Sequence, residues 1–259
     1  MLHMPTSAAA VDDLHGLATA SDLSLAWEHF ERALTRCGFP RLVYGLTTGL
    51  TRRTIGRPDE ISLFHNMPAE WIGEAIGGRL FERSPAVRWA RRNSGGMPWG
   101  RLSGVNLSGR LGALNERHGI TAGVSFSFSP TSLGARAMLC MMTEPYAQQG
   151  KANLAWDRHR CEIEALATTF HLRVLTMPRE TVEPTLNRRH CEVLACIGAG
   201  LSVVETADRI GRTAKAVEKR LAEARRVLSA NSTAEAVLRA AEMNLISTFG
   251  LRPAVIEAA

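Results

Sequence analysis

The clearest structural pattern in the chain is SVVETADRIGRTAKAVEKRLAEARRVL, residues 202–228. It predicts a short helix in which Ser202 is the N-cap, Glu205 stands at the capping-box offset and Gly211 ends the last turn. Thr213 then caps a second, longer helix. The apolar face of that second helix is formed by Val217, Leu221, Ala224 and Leu228. Two capped helices joined by a tight glycine turn therefore lie near the end of the chain.

Positive charge is concentrated in this stretch. Positions 209–226 hold seven basic residues against two acidic ones, whereas the whole chain of 259 residues has a formal net charge of only +6. A short helix, a tight turn and a longer basic helix form the arrangement that inserts a helix into the major groove. Most basic helices are only solvated surface helices. Here the turn and the preceding capped helix favour double-stranded DNA as a partner.

Helical patterns flank the pair on both sides, RRHCEVLACIGAG at 188–200 and TAEAVLRAAEMNLI at 233–246. With them, residues 184–250 resemble the LuxR-type helix-turn-helix. The matching positions include Leu186, Arg188, Glu192, Val193, Leu194, Gly200, Ser202, Glu205, Ala207, Gly211, Val217, Leu221, Ala224, Leu228, Ala236, Val237, Leu245 and Ile246. Taken together, the basic face of the long helix and this resemblance predict a DNA-contacting set. It consists of Thr213, Lys215, Glu218, Lys219, Arg220, Ala222, Arg225 and Arg226.

Two of these positions depart from what the resemblance implies. The residues that commonly read bases in the family fall on Glu218, Lys219 and Ala222, where Lys or Arg is frequent. Glu218 can accept a hydrogen bond from cytosine N4 and so read sequence. It can equally repel phosphates and weaken binding. The sequence leaves both effects open.

The region before residue 176 mixes helical and strand patterns. Helical patterns cover 22–38, 68–81, 86–93 (after Ser84-Pro85), 109–119 and 151–175. Strand patterns cover 41–50, 61–67, 119–130 and 135–144. Within the third strand, Val124, Phe126 and Phe128 alternate with serines, which predicts a half-buried strand. The fold class is α+β, an N-terminal α-β-α sandwich with a mostly antiparallel sheet, followed by an all-α four-helix helix-turn-helix domain. We place the domains at 1–175 and 184–250, with a loop at 51–60, a linker at 176–183 and a tail at 251–259.

A second resemblance rests on NMPAEWIGEAIGGRLFERSPAVRWARRNSGGMPW, residues 66–99, where Trp71, Pro85 and Trp99 stand 14 and 28 residues apart. With Gly119-Ile120 and Gly123-Val124, it makes residues 25–175 similar to the acyl-homoserine-lactone-binding domain of quorum-sensing regulators. The resemblance implies that the Trp71 indole holds the lactone. Ser84 stands where the family has the Asp that binds the amide. Ala75 and Met67 stand where it has tyrosines.

Three interpretations of this pocket remain open. It binds an acyl-homoserine lactone with altered contacts, in which Ser84 and Ser125 are weaker partners. It binds a different small molecule over an apolar floor that includes Trp71 and Trp99, although core packing is the better interpretation of Trp99 and explains Trp71 equally well. Or it binds nothing and serves dimerisation and folding. The loss of the carboxylate and of a tyrosine favours a ligand other than a standard homoserine lactone.

The function that these features predict is a dimeric, cytoplasmic, small-molecule-responsive transcription regulator. The alternative is a member that binds DNA poorly, or without a ligand, and antagonises a related regulator by heterodimerisation. Catalysis is not expected, because Ser84, His118, His190 and the cysteines form no catalytic spacing. No cofactor or metal is expected, since the five cysteines, at 37, 140, 161, 191 and 196, lack a CxxC pair and suggest buried or partly buried free thiols. Neither a secretory signal nor a membrane-spanning run is expected.

Overall fold

The computed structural model describes residues 8–47, 61–102, 109–129, 136–177 and 186–246. The helices are α1 (Ala8–Thr19), α2 (Leu23–Arg36), α3 (Ala69–Gly77), α4 (Pro85–Ala90), α5 (Gly109–Arg117), α6 (Gln149–Thr176), α7 (Arg188–Gly198), α8 (Val203–Ile210), α9 (Ala214–Val227) and α10 (Thr233–Glu242). The strands are β1 (Arg41–Thr47), β2 (Ile61–His65), β3 (Gly95–Pro98), β4 (Gly123–Ser127) and β5 (Arg136–Met142). The chain divides into two compact units, Met1–Arg173 and Val174–Ala259.

The first unit is built on a five-stranded sheet in the order β2-β1-β5-β4-β3. Every pairing of neighbouring strands is antiparallel, which confirms the expected α+β class and antiparallel sheet. The register pairs Val43 with Cys140 and Gly45 with Met138. Helix α1 and the edge strand β3 were not predicted, since neither carries a strong period in the sequence.

One face of the sheet is covered by α2 and α6 through an aromatic core. Phe30 of α2 stacks on Phe170 of α6 with ring centroids 4.5 Å apart. Phe170 in turn meets Tyr44 of β1 edge-on at 5.1 Å. Because each aromatic ring buries a large apolar area, these contacts fix both helices against the sheet.

The opposite face is covered by the helices that lie between β2 and β4 in the chain. Its core cluster contains Val43, Met67, Trp71, Ile72, Ala75, Leu80, Trp99, Leu114, Ile120 and Met142. The prediction that β4 is half-buried is therefore wrong, because all five of its residues are buried. Both sheet faces are covered, and the serine hydroxyls find partners inside: Ser127 donates to the Ala90 carbonyl at 3.1 Å.

Two further expectations need correction. The predicted helix over 68–81 ends as α3 at Gly77, and Arg79 adopts a left-handed φ of 50° before a short 3₁₀ helix over Leu80–Arg83. Gly78 keeps an ordinary φ of −82°, and a Cβ at this position would lie only 2.9 Å from the Glu74 carbonyl oxygen, so the close approach at the helix end requires glycine. The cysteines are all free thiols, but Cys161 on α6 is exposed and not buried.

The second unit is a bundle of α7 to α10. Ser202 and Glu205 form the predicted capping box, Gly211 ends α8 with a φ of 64°, and the Thr213 hydroxyl caps α9, so these three predictions are confirmed. The bundle core joins Leu186, Val193, Leu194, Ala207, Val217, Leu221, Ala224, Leu228, Ala236, Ala240 and Ile246. The predicted apolar face of the long helix is thus its buried face.

The loop expected at 51–60 and the tail at 251–259 lie outside the described residues, as does the expected linker from position 178 onward. In the part of the chain that is described, no helix combines the length and apolar character that crossing a membrane requires.

Candidate ligand-binding site and candidate DNA interface

Two adjoining cavities lie between the sheet and the helices of the α3–α5 side. The larger measures about 110 Å³ and the smaller about 40 Å³. Both are walled by Val43, Phe81, Met138 and Cys140. The smaller cavity reaches Trp71, Ser84, Trp99 and Asn115, whereas the larger extends along β1 and β2 toward α4. Small-molecule sites are typically such apolar clefts with a few polar groups.

The period of the strands explains how the sequence builds this wall. Alternate residues of a strand point to one face, so Val43, Gly45 and Thr47 share the cavity side of β1. The register places Cys140 and Met138 of β5 beside the first two. Gly45 has no side chain, and a Cβ there would meet nothing closer than the Leu63 Cδ1 atom at 3.8 Å. The missing side chain keeps the larger cavity open.

Trp71, the predicted lactone donor, already has a partner. Its indole Nε1 donates to Asn115 Oδ1 of α5 at 3.1 Å, and both residues are buried. Asn115 was missed by sequence reasoning, although a polar residue four positions after Leu111 on an apolar helix face is a signal of a buried hydrogen bond. A ligand carbonyl that takes the Trp71 N–H must therefore displace Asn115 or share the donor with it.

Trp99 and Ser125 bind each other. The Trp99 Nε1 donates to Ser125 Oγ at 2.9 Å, and Ser125 Oγ lies 3.7 Å from the Cys140 sulfur. Burial raises the pKa of the Cys140 thiol to about 11, which keeps it protonated and neutral at ordinary pH. This triad contributes no formal charge to the cavity wall.

The remaining predicted ligand residues are all buried on this side of the sheet. Ser84 lines the smaller cavity and precedes α4 without a side-chain capping bond. Ala75 and Met67 belong to the core cluster beside Trp71, but they are not among the described residues that line either cavity. Trp71, Ser84 and Trp99 thus line the same cavity, whereas Ala75 and Met67 pack in the core cluster that contains Trp71 and Trp99.

A family model matches this unit. The description of that family is "Autoinducer binding domain", and the match covers residues 23–174, more than half of the chain. The chain belongs to the autoinducer-binding domain family. The expectation drawn from residues 66–99 and the glycine-containing strand is confirmed at the level of the family.

Several solved structures are similar in fold to this chain. One is CepR2 of Burkholderia cenocepacia, described as an N-acylhomoserine lactone dependent LuxR family transcription factor, with 17% identity, 63% of this chain and 92% of that chain covered and a TM-score of 0.50. Another is SdiA in complex with octanoyl-rac-glycerol, with 13% identity, 95% and 98% covered and a TM-score of 0.56. A further SdiA structure, from Escherichia coli, gives 14% identity, 91% and 97% covered and a TM-score of 0.50. No curated protein sequence matches significantly.

In the second unit, the predicted DNA-contacting residues of α9 form an outward stripe. Lys215, Glu218, Lys219, Ala222 and Arg226 recur at spacings of three, four, seven and eleven residues and are exposed. This stripe lies opposite the buried face of the helix, since residues at these spacings share one side. Arg220 and Arg225 are half-buried at its flanks, and Thr213 is exposed at the N-cap.

Charge pairing along α9 is sparse. Lys219 lies 4.0 Å from Glu223, the outer limit of an ion pair. Glu223 also approaches the buried His190 of α7 at 3.3 Å, which links the two helices. Exposed ion pairs of this kind contribute little to stability. The basic side chains of the stripe are exposed, so an anionic partner can reach them.

A cluster of metal-ligating side chains occurs elsewhere in the first unit. The donor atoms of Cys37, His159 and Glu162 lie within 4.8 Å of one another. The Glu162 carboxylate is already engaged by Arg36 and by His159. Burial, and then the Glu162 charge, raise the pKa of the Cys37 thiol to about 12. A metal would have to displace the guanidinium and remove that proton, so the cluster fits an ion-pair network better than a metal site.

Proposed function

We propose that the chain is a DNA-binding regulator controlled by a small molecule that occupies the cavities of its autoinducer-binding domain. Control by a small molecule is supported by the two adjoining cavities, whose walls include residues of β1 and β5. The outward basic stripe of α9 supports the DNA half. A ligand that binds only the folded unit stabilises it, and this is the simplest way for the signal to act.

The DNA half is tested by fluorescence anisotropy of the full chain on the DNA upstream of its own gene, at several salt concentrations. Phosphate contacts set a salt slope, so Arg226→Ala is expected to weaken binding to all sequences and to reduce the slope by roughly one. Arg110→Ala, which removes an exposed Arg from α5, is the matched control and leaves the affinity unchanged. Equal affinity of wild type and Arg226→Ala on every DNA would contradict the assignment.

The exposed carboxylate of Glu218 supports a second candidate function, a poorly DNA-binding antagonist of a related regulator. The two candidate functions predict different DNA affinities for the double variant Glu218→Lys with Ala222→Arg. A large gain of affinity on all DNA favours the antagonist, because a repulsive charge has been removed. A loss of affinity or a changed base preference favours sequence readout by Glu218.

For the ligand, we propose a molecule other than a standard acyl-homoserine lactone. The Trp71 N–H is held by Asn115, and Ser84 and Ala75 cannot supply the carboxylate and phenol of the family pattern. Mass spectrometry of the chain purified from cells grown with and without acyl-homoserine lactones tests this. A homoserine lactone bound in stoichiometric amount would overturn it.

We also propose that the regulator is a homodimer that uses α6. Leu154 and Leu172 are exposed on this helix, 73% and 53% accessible, and lie five turns apart on one side. Small residues, among them the exposed Cys161 and Ala165, continue the same side. Analytical ultracentrifugation is expected to show a dimer that Leu154→Glu with Leu172→Glu dissociates, and a wild-type monomer would contradict it.

A further inference from the structure

The two cavities of the autoinducer-binding domain offer almost no hydrogen-bonding surface to a ligand. The walls of the larger one are mainly aliphatic and aromatic, with Val43, Leu63 and Phe81 among them. None of the described residues that line either cavity is acidic. Apolar cavities on the order of 150 Å³ stay dry and take up benzene or xenon. A wall of this composition therefore favours contact with hydrocarbon.

Two arginines belong to the lining of the larger cavity without making it polar. The Nε and Nη2 atoms of Arg91 are buried out of reach of a water-sized molecule. The Nη1 atom of Arg136 lies 3.5 Å from the Ala90 carbonyl oxygen. Long charged side chains commonly cover apolar surface with their alkyl stems, and the composition of this wall indicates that both arginines do so here. An anion in the cavity would find no guanidinium facing it.

The polar side chains around the smaller cavity are mostly bonded to one another. The Trp71 Nε1 donates to Asn115 Oδ1 at 3.1 Å, and the Trp99 Nε1 donates to Ser125 Oγ at 2.9 Å. An indole has a single N–H donor, so both tryptophan donors are already engaged. The strongest hydrogen-bonding groups left in the described lining are the Ser84 hydroxyl and the Asn115 amide. Both are neutral.

The shape of the larger cavity suits a linear tail. It extends along β1 from Val43 to Thr47, and four residue steps of a strand span roughly 13 Å. Gly45, in the middle of this span, leaves the space beside the strand open. Val43 and Phe81 line both cavities, so a tail that lies along β1 can continue into the smaller cavity.

We infer that the ligand of these cavities is an uncharged, predominantly hydrocarbon molecule that carries no more than one small neutral polar group, such as a ketone or a hydroxyl, at the end beside Ser84. A buried charge, or several buried polar groups, would lack partners there, and that cost outweighs the gain from apolar contact. This inference rests on the proposed function, because it names the chemistry of that same ligand site.

The test compares nonan-2-one, nonanoate and octanoyl-homoserine lactone, three probes of similar chain length, by calorimetric titration and thermal denaturation of the full chain at neutral pH. Nonan-2-one is expected to bind tightest and to raise the melting temperature most. Nonanoate is expected to bind roughly a hundredfold more weakly or worse, since its charge would be buried without a partner. The lactone is expected to bind roughly tenfold more weakly than the ketone or worse, because its amide and lactone exceed the polar groups available.

The variant Gly45→Leu tests where the tail lies. It is expected to weaken nonan-2-one binding by roughly tenfold or more, since the new side chain occupies the space beside β1. Gly73→Leu is the matched control, because Gly73 is exposed on α3 and lines neither cavity, and it is expected to bind as wild type does.

The probe series on the wild-type chain decides the inference even if Gly45→Leu fails to fold. If nonanoate or the lactone binds more tightly than nonan-2-one, the inference of an uncharged hydrocarbon ligand fails while ligand sensing stands. Nonan-2-one binding that folded Gly45→Leu leaves unchanged, or no binding by any of the three probes, also overturns it. The DNA measurements judge the proposed regulator independently.

Discussion

His171 predicts a pH dependence of stability that can be worked out from the structure. The residue is buried on α6, where its ring stacks on Phe128 with centroids 4.3 Å apart and its Nδ1 lies 2.7 Å from the Tyr44 hydroxyl. Burial lowers the pKa of His171 to about 4. The unfolded chain keeps the ordinary pKa of about 6.5. Between these values the unfolded state binds the extra proton, so stability must fall as the pH falls.

The magnitude follows from the two pKa values. One pKa unit corresponds to about 1.4 kcal/mol, so the full contribution of His171, lost by pH 4, is about 3 kcal/mol. On lowering the pH from 7.5 to 5, the expected loss from this one group is roughly 2 kcal/mol. The contribution is present in full above pH 6.5 and disappears as the pH falls toward 4.

Urea unfolding at a series of pH values measures this effect. The variant His171→Gln removes the titrating group and is expected to lack this part of the slope between pH 7.5 and 5. The variant His15→Gln changes an exposed histidine on α1 and is expected to keep the wild-type slope. Equal slopes for wild type and His171→Gln would refute the reasoning, as would an NMR titration of the His171 ring with a midpoint above pH 6.

Three further substitutions test the packing of the two units, each by urea denaturation. Ser125→Ala leaves the Trp99 indole without an acceptor and is expected to cost about 1–3 kcal/mol; a neutral result would show that the bond is not needed. Gly96→Ala places a Cβ 2.1 Å from the Trp156 ring and is expected to cost roughly 1–3 kcal/mol, whereas Gly73→Ala, with nothing within 4 Å, is expected to be tolerated. Ser202→Ala removes the capping box of α8 and should cost about 1 kcal/mol; unchanged stability would argue against the cap.

The local features of this fold could be read from the sequence because local chemistry decides them. The caps at Ser202 and Thr213 depend on hydrogen bonds within three residues, and both were predicted correctly. The alternation in β4 was also seen. Its burial was misjudged because helices distant in the sequence cover the serine face, and serines inside a fold look like serines in solvent until their partners are known.

The sequence was sufficient to predict which aromatic residues lie at the site. It was not sufficient to predict the hydrogen-bond partners of those residues. Trp71 and Trp99 were found through the resemblance to the family pattern, but the partner of Trp71 lies 44 residues away on another helix. Ser125 and Cys140 stand 15 residues apart in the sequence, and only the strand register places them side by side. Such pairings depend on tertiary geometry, which neither period nor propensity encodes.

The proposed function requires that a small molecule in the cavity of the autoinducer-binding domain governs DNA binding. The most direct measurement is the DNA affinity of the full chain, with its co-purified ligand and after that ligand is stripped, for wild type and for Gly45→Leu, which fills the cavity from β1. Stripping and restoring the ligand is expected to change the DNA affinity of the wild type at least several-fold and to leave that of Gly45→Leu unchanged. Wild-type protein that carries no ligand and binds DNA with the same affinity throughout would contradict it.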